Sequence, residues 1–237
     1  MHIEAPPFLL TAFLKGRRTP GEDLVVVIEG DGYAFVNSTQ PSNDPTPQDP
    51  VGLEIAVADP APRILALARP CQYLTEDRRG CEDIRYWTTH RFAPEVIAAV
   101  GQAIDLAKSA VLAGKVYLVG YSGGGALAVL AAAGRDDVAG LVTVAAPLDL
   151  AAWIAHHGLT PMSGSRDPAE VAAAVARIPQ VHLAGSRDRT VPPQIVQDFV
   201  NRLPAGAPVR FVLVNVDHGC CWAERWPGLR DSLPLPR

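Results

Sequence analysis

Val116-Tyr117-Leu118-Val119-Gly120-Tyr121-Ser122-Gly123-Gly124-Gly125-Ala126 is the stretch whose reading decides the fold. A short apolar, β-branched run enters a Gly/Ser cluster, which opens into the alanine-rich Ala126–Ala133, a composition suited to a buried helix. The order is strand, sharp turn, helix. Inside the turn lies Gly120-x-Ser122-x-Gly124, the pattern in which a serine takes a strained conformation that projects its hydroxyl beyond the sheet. Side chains in place of the flanking glycines would collide with the neighbouring strand and helix when the chain bends so tightly. Ser122 is the candidate nucleophile.

Glycines between a strand and a helix also cradle phosphates, so two rival readings are weighed. Gly120 and Gly125 have the P-loop spacing, but Ala126 and Leu127 stand where that loop needs Lys and Ser/Thr. A dinucleotide fingerprint needs glycine where Ser122 stands, in the first βα unit of a domain rather than halfway along the chain. Neither fits. The plainest alternative, a serine that only serves a tight turn, is decided by the remainder of the chain.

At 237 residues, 48% hydrophobic and 19% charged, the chain can bury a large core and suits one α/β domain, residues 1–237. A formal charge of −4 with no Lys/Arg cluster argues against nucleic acid as a partner. Arg17–Arg18 and Arg78–Arg79 read as solvated pairs. No apolar run reaches the about 18 residues of a membrane span. His2-Ile3-Glu4-Ala5-Pro6-Pro7 lacks the basic start and apolar middle of a signal peptide, so a cytoplasmic location is expected if Met1 is the native start. Cys71 and Cys81 sit in a loop-like stretch, close enough in sequence to close a small disulfide ring. That bridge, with a leader removed, would imply an exported protein in an oxidising compartment. Adjacent Cys220 and Cys221 bridge only with strained geometry, so free thiols or a packing role are expected there. No C-x₂-C-like pair suggests zinc.

Along the chain, Phe8–Leu14 reads as an early edge strand and Leu24–Ile28 as a parallel strand covered on both faces. Asn37–Pro50 is loop by composition, and Arg63–Ala68 is the next strand. Pro94 opens a helix with Val96, Ile97, Val100, Ile104 and Ala107 at helical spacing. Val138–Ala145, Val181–Ala184 and Val209–Val216 continue the sheet, and Pro193–Leu203 is an amphipathic helix. The excursion 149–179 is too long for a simple connection and carries a helix start at Asp167-Pro168 with Glu170 three residues after the cap. It is read as a small cap or lid. Alternating strands and helices mean a mostly parallel sheet with its site at the carboxyl ends of the strands.

A serine hydroxyl is a poor nucleophile until a base takes its proton, and the base needs an acid to orient it. Of six histidines, His218 alone stands just past the last strand. His2 is terminal, His90 precedes a helix, His156 and His157 lie in the excursion, and His182 is inside a strand. Asp188, after Val181–Ala184, completes the order Ser, Asp, His, with Asp149 the second choice. The oxyanion donors are expected to be the N–H groups of Gly123 and of Asp31, with Gly32 the next choice. The Asp31 carboxylate must then point away from the developing charge.

Taken together, Gly120-Tyr121-Ser122-Gly123-Gly124, Asp188-Arg189-Thr190-Val191-Pro192 and Asp217-His218-Gly219 resemble the nucleophile, acid and histidine loops of an α/β-hydrolase, over roughly Leu24 to the C-terminus. Ile28-Glu29-Gly30-Asp31-Gly32, Arg69-Pro70-Cys71-Gln72 and Tyr86-Trp87-Thr88 resemble a group of bacterial, often exported, hydrolase-like proteins. Many relatives carry His-Gly where Glu29-Gly30 stands. The resemblance implies a cofactor-free serine hydrolase acting on a small-molecule ester through an acyl-enzyme. A peptidase, thioesterase or acyltransferase could use the same three residues, and a binding protein could keep the fold without turnover.

Overall fold

The computed structural model describes residues 1–37 and 39–236. The strands are β1 (His2–Ala5), β2 (Phe8–Lys15), β3 (Leu24–Ile28), β4 (Ile64–Leu67), β5 (Val116–Tyr121), β6 (Val138–Val144), β7 (Gln180–Gly185) and β8 (Val209–Val214). They form one sheet in the order β1-β2-β4-β3-β5-β6-β7-β8. From β4 to β8 every pairing is parallel, while β2 runs antiparallel to both β1 and β4.

The helices are α1 (Val51–Ala58), α2 (Pro94–Val111), α3 (Gly123–Ala132), α4 (Leu150–His157), α5 (Ala172–Val175), α6 (Pro193–Arg202) and α7 (Trp222–Arg230). Helices cover both faces of the sheet, and β3 shows why its strand is aliphatic throughout. Leu24, Val26 and Ile28 face the core built with α2, α3 and α6, whereas Val25 and Val27 face the one built with α1 and α7. Side chains alternate across a strand, so a strand covered twice needs apolar residues at both parities. Each such buried Val, Leu or Ile contributes roughly 1.5–3 kcal/mol.

Several expectations are corrected. Phe8–Leu14 is not an edge strand: the four-residue β1 lies outside it, pairing Ile3 with Leu10. The start marked by Asp167 gives a 3-10 turn, Pro168–Val171, followed by the single turn of α5, rather than one longer helix. Asp167 still caps, accepting from the Ala169 N–H at 2.9 Å, and its carboxylate also takes the Leu150 and Ala151 N–H groups at the start of α4. Cys220 and Cys221 are bonded to each other, their Cα atoms 3.7 Å apart, with Cys221 at the left-handed φ of 78°. The turn between β8 and α7 brings the two sulfurs together, so neither cysteine is free. Cys71 and Cys81 are joined as well, Cα to Cα 5.4 Å, and both are buried. Among the described residues no helix is long and apolar enough to cross a membrane.

Candidate active site

The register of the parallel strands aligns their carboxyl ends. Ile28 is opposite Gly120, Val144 opposite Leu183, and Gly185 opposite Val214. The loops that follow β3, β5, β7 and β8 therefore meet at one rim, bringing Asp31, Ser122, Asp188 and His218 together.

Ser122 sits between β5 and α3 at φ 49°, ψ −125°, with its N–H bonded to the Val144 carbonyl at 2.8 Å. A β-carbon at Gly120 would strike the Gly124 carbonyl group, and one at Gly124 would strike the Ile28 and Glu29 carbonyl oxygens. The glycines thus admit the close approach of β3, β5 and α3 that puts the serine at the top of its turn. From there the Ser122 hydroxyl lies 3.1 Å from Nε2 of His218, and Nδ1 of His218 lies 2.8 Å from Oδ2 of Asp188.

The Asp188 side chain is fully buried, and its Oδ1 accepts the N–H groups of Thr190 and Val191, each at 2.8 Å. Oδ2 is left for the imidazole. Because a carboxylate oxygen only accepts, this network assigns the proton to Nδ1 and leaves the Nε2 lone pair for the serine O–H. The His218 carbonyl is held from two sides, by Tyr121 Oη at 3.1 Å and Trp222 Nε1 at 2.9 Å. Burial, with Glu29 and Asp188 nearby, pushes the Tyr121 phenol far up, so it remains a donor. Asp149, the second choice of acid, is engaged elsewhere, accepting from the Ala152 N–H and pairing with Arg202 at 2.6 Å.

The loop after β3 is braced from beneath. The buried Glu29 carboxylate accepts the N–H groups of Gly30 at 2.8 Å and of Gly52 and Leu53 at 3.0 Å, capping the start of α1. Burial raises its carboxyl above the ordinary glutamate value despite those three donors. Gln72 donates to the Gly30 carbonyl at 2.9 Å and accepts the Arg69 N–H at 3.0 Å. Asp31 forms ion pairs with Arg69 and with Arg91, the latter at 2.7 Å. Burial pushes the Asp31 carboxyl up, but Arg91 and Arg69 outweigh it and hold it below the usual carboxylate range. The Asp31 charge is thereby compensated. Among the described residues the N–H groups of Asp31 and Gly123 donate to no protein acceptor.

A cavity of about 430 Å³ opens over these groups. Tyr33, Phe35, Pro147, Trp153 and Val191 give it apolar walls, with Ser122 and His218 also lining it. Trp153 belongs to α4, and its indole donates to the Thr190 carbonyl at 2.6 Å.

The sequence assigns no role to Arg69, Arg91, Glu29, Tyr121 or Trp222. Arg69, Glu29 and Tyr121 stand in stretches that carry a resemblance but no role of their own, and Arg91 and Trp222 have no local signal.

No family model and no curated protein matches this chain. Solved structures do. An α/β serine hydrolase homologue from Coxiella burnetii superposes with TM-score 0.65 at 17% identity, over 99% of this chain and 94% of that one. Est1E from Butyrivibrio proteoclasticus, solved with ferulic acid bound, gives 0.69 at 14% identity, over 98% and 97%. An α/β serine hydrolase without lid from Xanthomonas campestris gives 0.61 at 15%, over 100% and 95%. The likeness is one of fold, and that fold is the α/β-hydrolase fold.

Proposed function

We propose that this α/β-hydrolase-fold chain is a serine hydrolase that cleaves a carboxylic ester of a small molecule. The observation that carries the reading is the hydrogen-bonded line from Asp188 Oδ2 through His218 to the Ser122 hydroxyl, at 2.8 and 3.1 Å. Ser122 attacks the ester carbonyl while His218 Nε2 takes its proton, and Asp188 holds the imidazole in the required tautomer. The N–H groups of Gly123 and Asp31 receive the developing oxyanion. His218 then returns the proton to the leaving oxygen, and water, activated by the same imidazole, releases the acyl group from Ser122. Segment 149–179 acts as a small cap, with Trp153 bordering the cavity. The Cys71–Cys81 bridge supports an oxidising compartment.

Reaction with a fluorophosphonate probe, followed by peptide mapping, tests the nucleophile: the expected adduct is on Ser122. Ser122→Ala is expected to lower turnover of an activated ester by several orders of magnitude while leaving the circular dichroism spectrum intact. Unchanged turnover in that variant removes the proposal.

A further inference from the structure

His218 borders two concave regions whose unpaired charges differ. The first is the roughly 430 Å³ space that contains Ser122, and the second is an open surface depression lined by Arg187, Arg189, Thr190, Asp217, His218 and Gly219. The two share Thr190 and His218, so the histidine stands at their junction.

The charged residues lining the first cavity are the carboxylates Glu29, Asp31 and Asp49 and the guanidinium of Arg91. Glu29 is bonded to N–H groups and Asp31 is paired with arginines, while Asp49 is exposed and has no side-chain partner among the described residues. The second region is different. Arg187 and Arg189 are exposed and form no ion pair with any described residue. Asp217, the acid beside them, accepts the Cys220 N–H at 2.7 Å. Two guanidiniums against one carboxylate leave this side cationic, on a chain whose formal charge is −4.

In the reaction proposed above, His218 Nε2 protonates the leaving oxygen beside Ser122, so the leaving alcohol lies against His218 and its far end extends past Thr190 and His218, which line both regions, toward Arg187 and Arg189. The acyl half then occupies the space above Ser122, with its aromatic walls and the uncompensated Asp49. From this division, and resting on the reading of Ser122 as nucleophile, we propose that the preferred substrates are esters whose leaving alcohol or phenol carries a carboxylate, received by Arg187 and Arg189. The acyl half is neutral and apolar.

Three esters test this: phenyl acetate, 3-acetoxybenzoate with its carboxylate on the leaving phenol, and phenyl hydrogen succinate with its carboxylate on the acyl half. The meta position keeps the leaving phenols similar in acidity. At low salt, kcat/KM for 3-acetoxybenzoate is expected to exceed that for phenyl acetate by about fivefold, the scale of two exposed charge contacts. That ratio falls toward one in Arg187→Gln/Arg189→Gln, and in wild-type protein at about 0.5 M salt. Phenyl hydrogen succinate falls below phenyl acetate. A wild-type ratio at or below one, or a ratio that the double variant leaves unchanged, overturns the proposal while Ser122-dependent turnover of phenyl acetate keeps the hydrolase reading. Absence of turnover of all three esters together with absence of fluorophosphonate labelling overturns both.

Discussion

The Asp31 carboxylate occupies the space that a β-carbon on Gly123 would need. A side chain there would strike Oδ1 of Asp31 and Nη1 of its partner Arg69. The two proposed oxyanion donors, the N–H groups of residues 31 and 123, are thus packed against one another through the ion pair. Gly123→Ala must push the loop after β3 away from the elbow, although alanine favours the first turn of α3. The expected result is a loss of kcat on an activated ester of about 100-fold, the scale of one oxyanion donor, with KM little changed. Thermal denaturation checks that the fold persists; kcat within a factor of two of wild type removes Asp31 from the oxyanion site.

The Ser122 backbone, at φ 49° and ψ −125°, lies where L side chains are strained and glycine is not. Ser122→Gly is therefore expected to be more stable than Ser122→Ala by about 1–2 kcal/mol, although neither turns over ester. Chemical denaturation of the two inactive proteins measures the difference. Equal midpoints and slopes would mean the elbow holds no such strain.

How much was readable in the residues follows from how local each signal is. Strands β3 to β8 announce themselves as largely apolar runs, and Ser122, Asp188 and His218 follow β5, β7 and β8, so chain order alone selects them. Helix α7 is not legible in the residues alone: Pro227, a residue that ordinarily breaks a helix, lies inside Trp222–Arg230. Only in the fold do Trp222 and Trp226, four residues apart, both become fully buried against the sheet. The partner of Trp226 is distant: Asp59 accepts from Trp226 Nε1 at 2.9 Å and from Arg230 Nε at 2.7 Å. The clamp on Asp31 was equally invisible, since Arg69 and Arg91 are 38 and 60 residues away. Glu29 was noticed as a departure from His-Gly, but its reason, capping α1, depends on a helix that the apolar run Val51–Ala58 does not distinguish from a strand.

Asp59 gives a stability test remote from the site. Its buried side chain accepts from Trp226, Arg230 and the Ala61 N–H, and Asp59→Ala leaves the Arg230 guanidinium, also largely buried, without its partner. Breaking a buried pair from one side costs about 3–5 kcal/mol. Urea denaturation is expected to show a loss of that order, and a change below about 1 kcal/mol would mean that water replaces the carboxylate at little cost.

His182 sets a pH dependence. It is fully buried in β7, where burial depresses its pKa from 6.5 to about 3. Gln180 Nε2 donates to the Val175 and Ile178 carbonyls, so its Oε1 faces Nε2 of His182, which must carry the proton, and Nδ1 accepts from Thr143. The neutral ring belongs to the folded state. Below about pH 6.5 the unfolded chain binds a proton that the folded chain refuses until near pH 3, so stability falls as pH drops through that window. The slope from this one group approaches 1.4 kcal/mol per pH unit, roughly. His182→Leu is expected to flatten the profile by that amount between about pH 6 and 4, whatever its own stability. Parallel profiles for the two proteins would show that His182 does not govern the window.

Two donors converge on one acceptor at the histidine loop, and their redundancy can be measured. Tyr121 Oη and Trp222 Nε1 both hold the His218 carbonyl, one rising from the end of β5 and the other from the start of α7. A carbonyl has two lone pairs, so both bonds form together and fix the residue whose imidazole must reach Ser122. Tyr121→Phe deletes one donor without altering the ring that lies 5.4 Å from the His218 ring, centroid to centroid. Trp222→Phe deletes the other and leaves some empty volume. With one bond remaining, each single variant is expected to lose about three- to tenfold in kcat, since a neutral hydrogen bond is worth about 1 kcal/mol. The double variant frees the loop, and its loss should exceed the product of the single losses. A cycle of the four proteins on one activated ester gives the coupling directly. If the losses multiply, the two bonds act independently, and the histidine is held in place by Asp188 rather than by its own carbonyl.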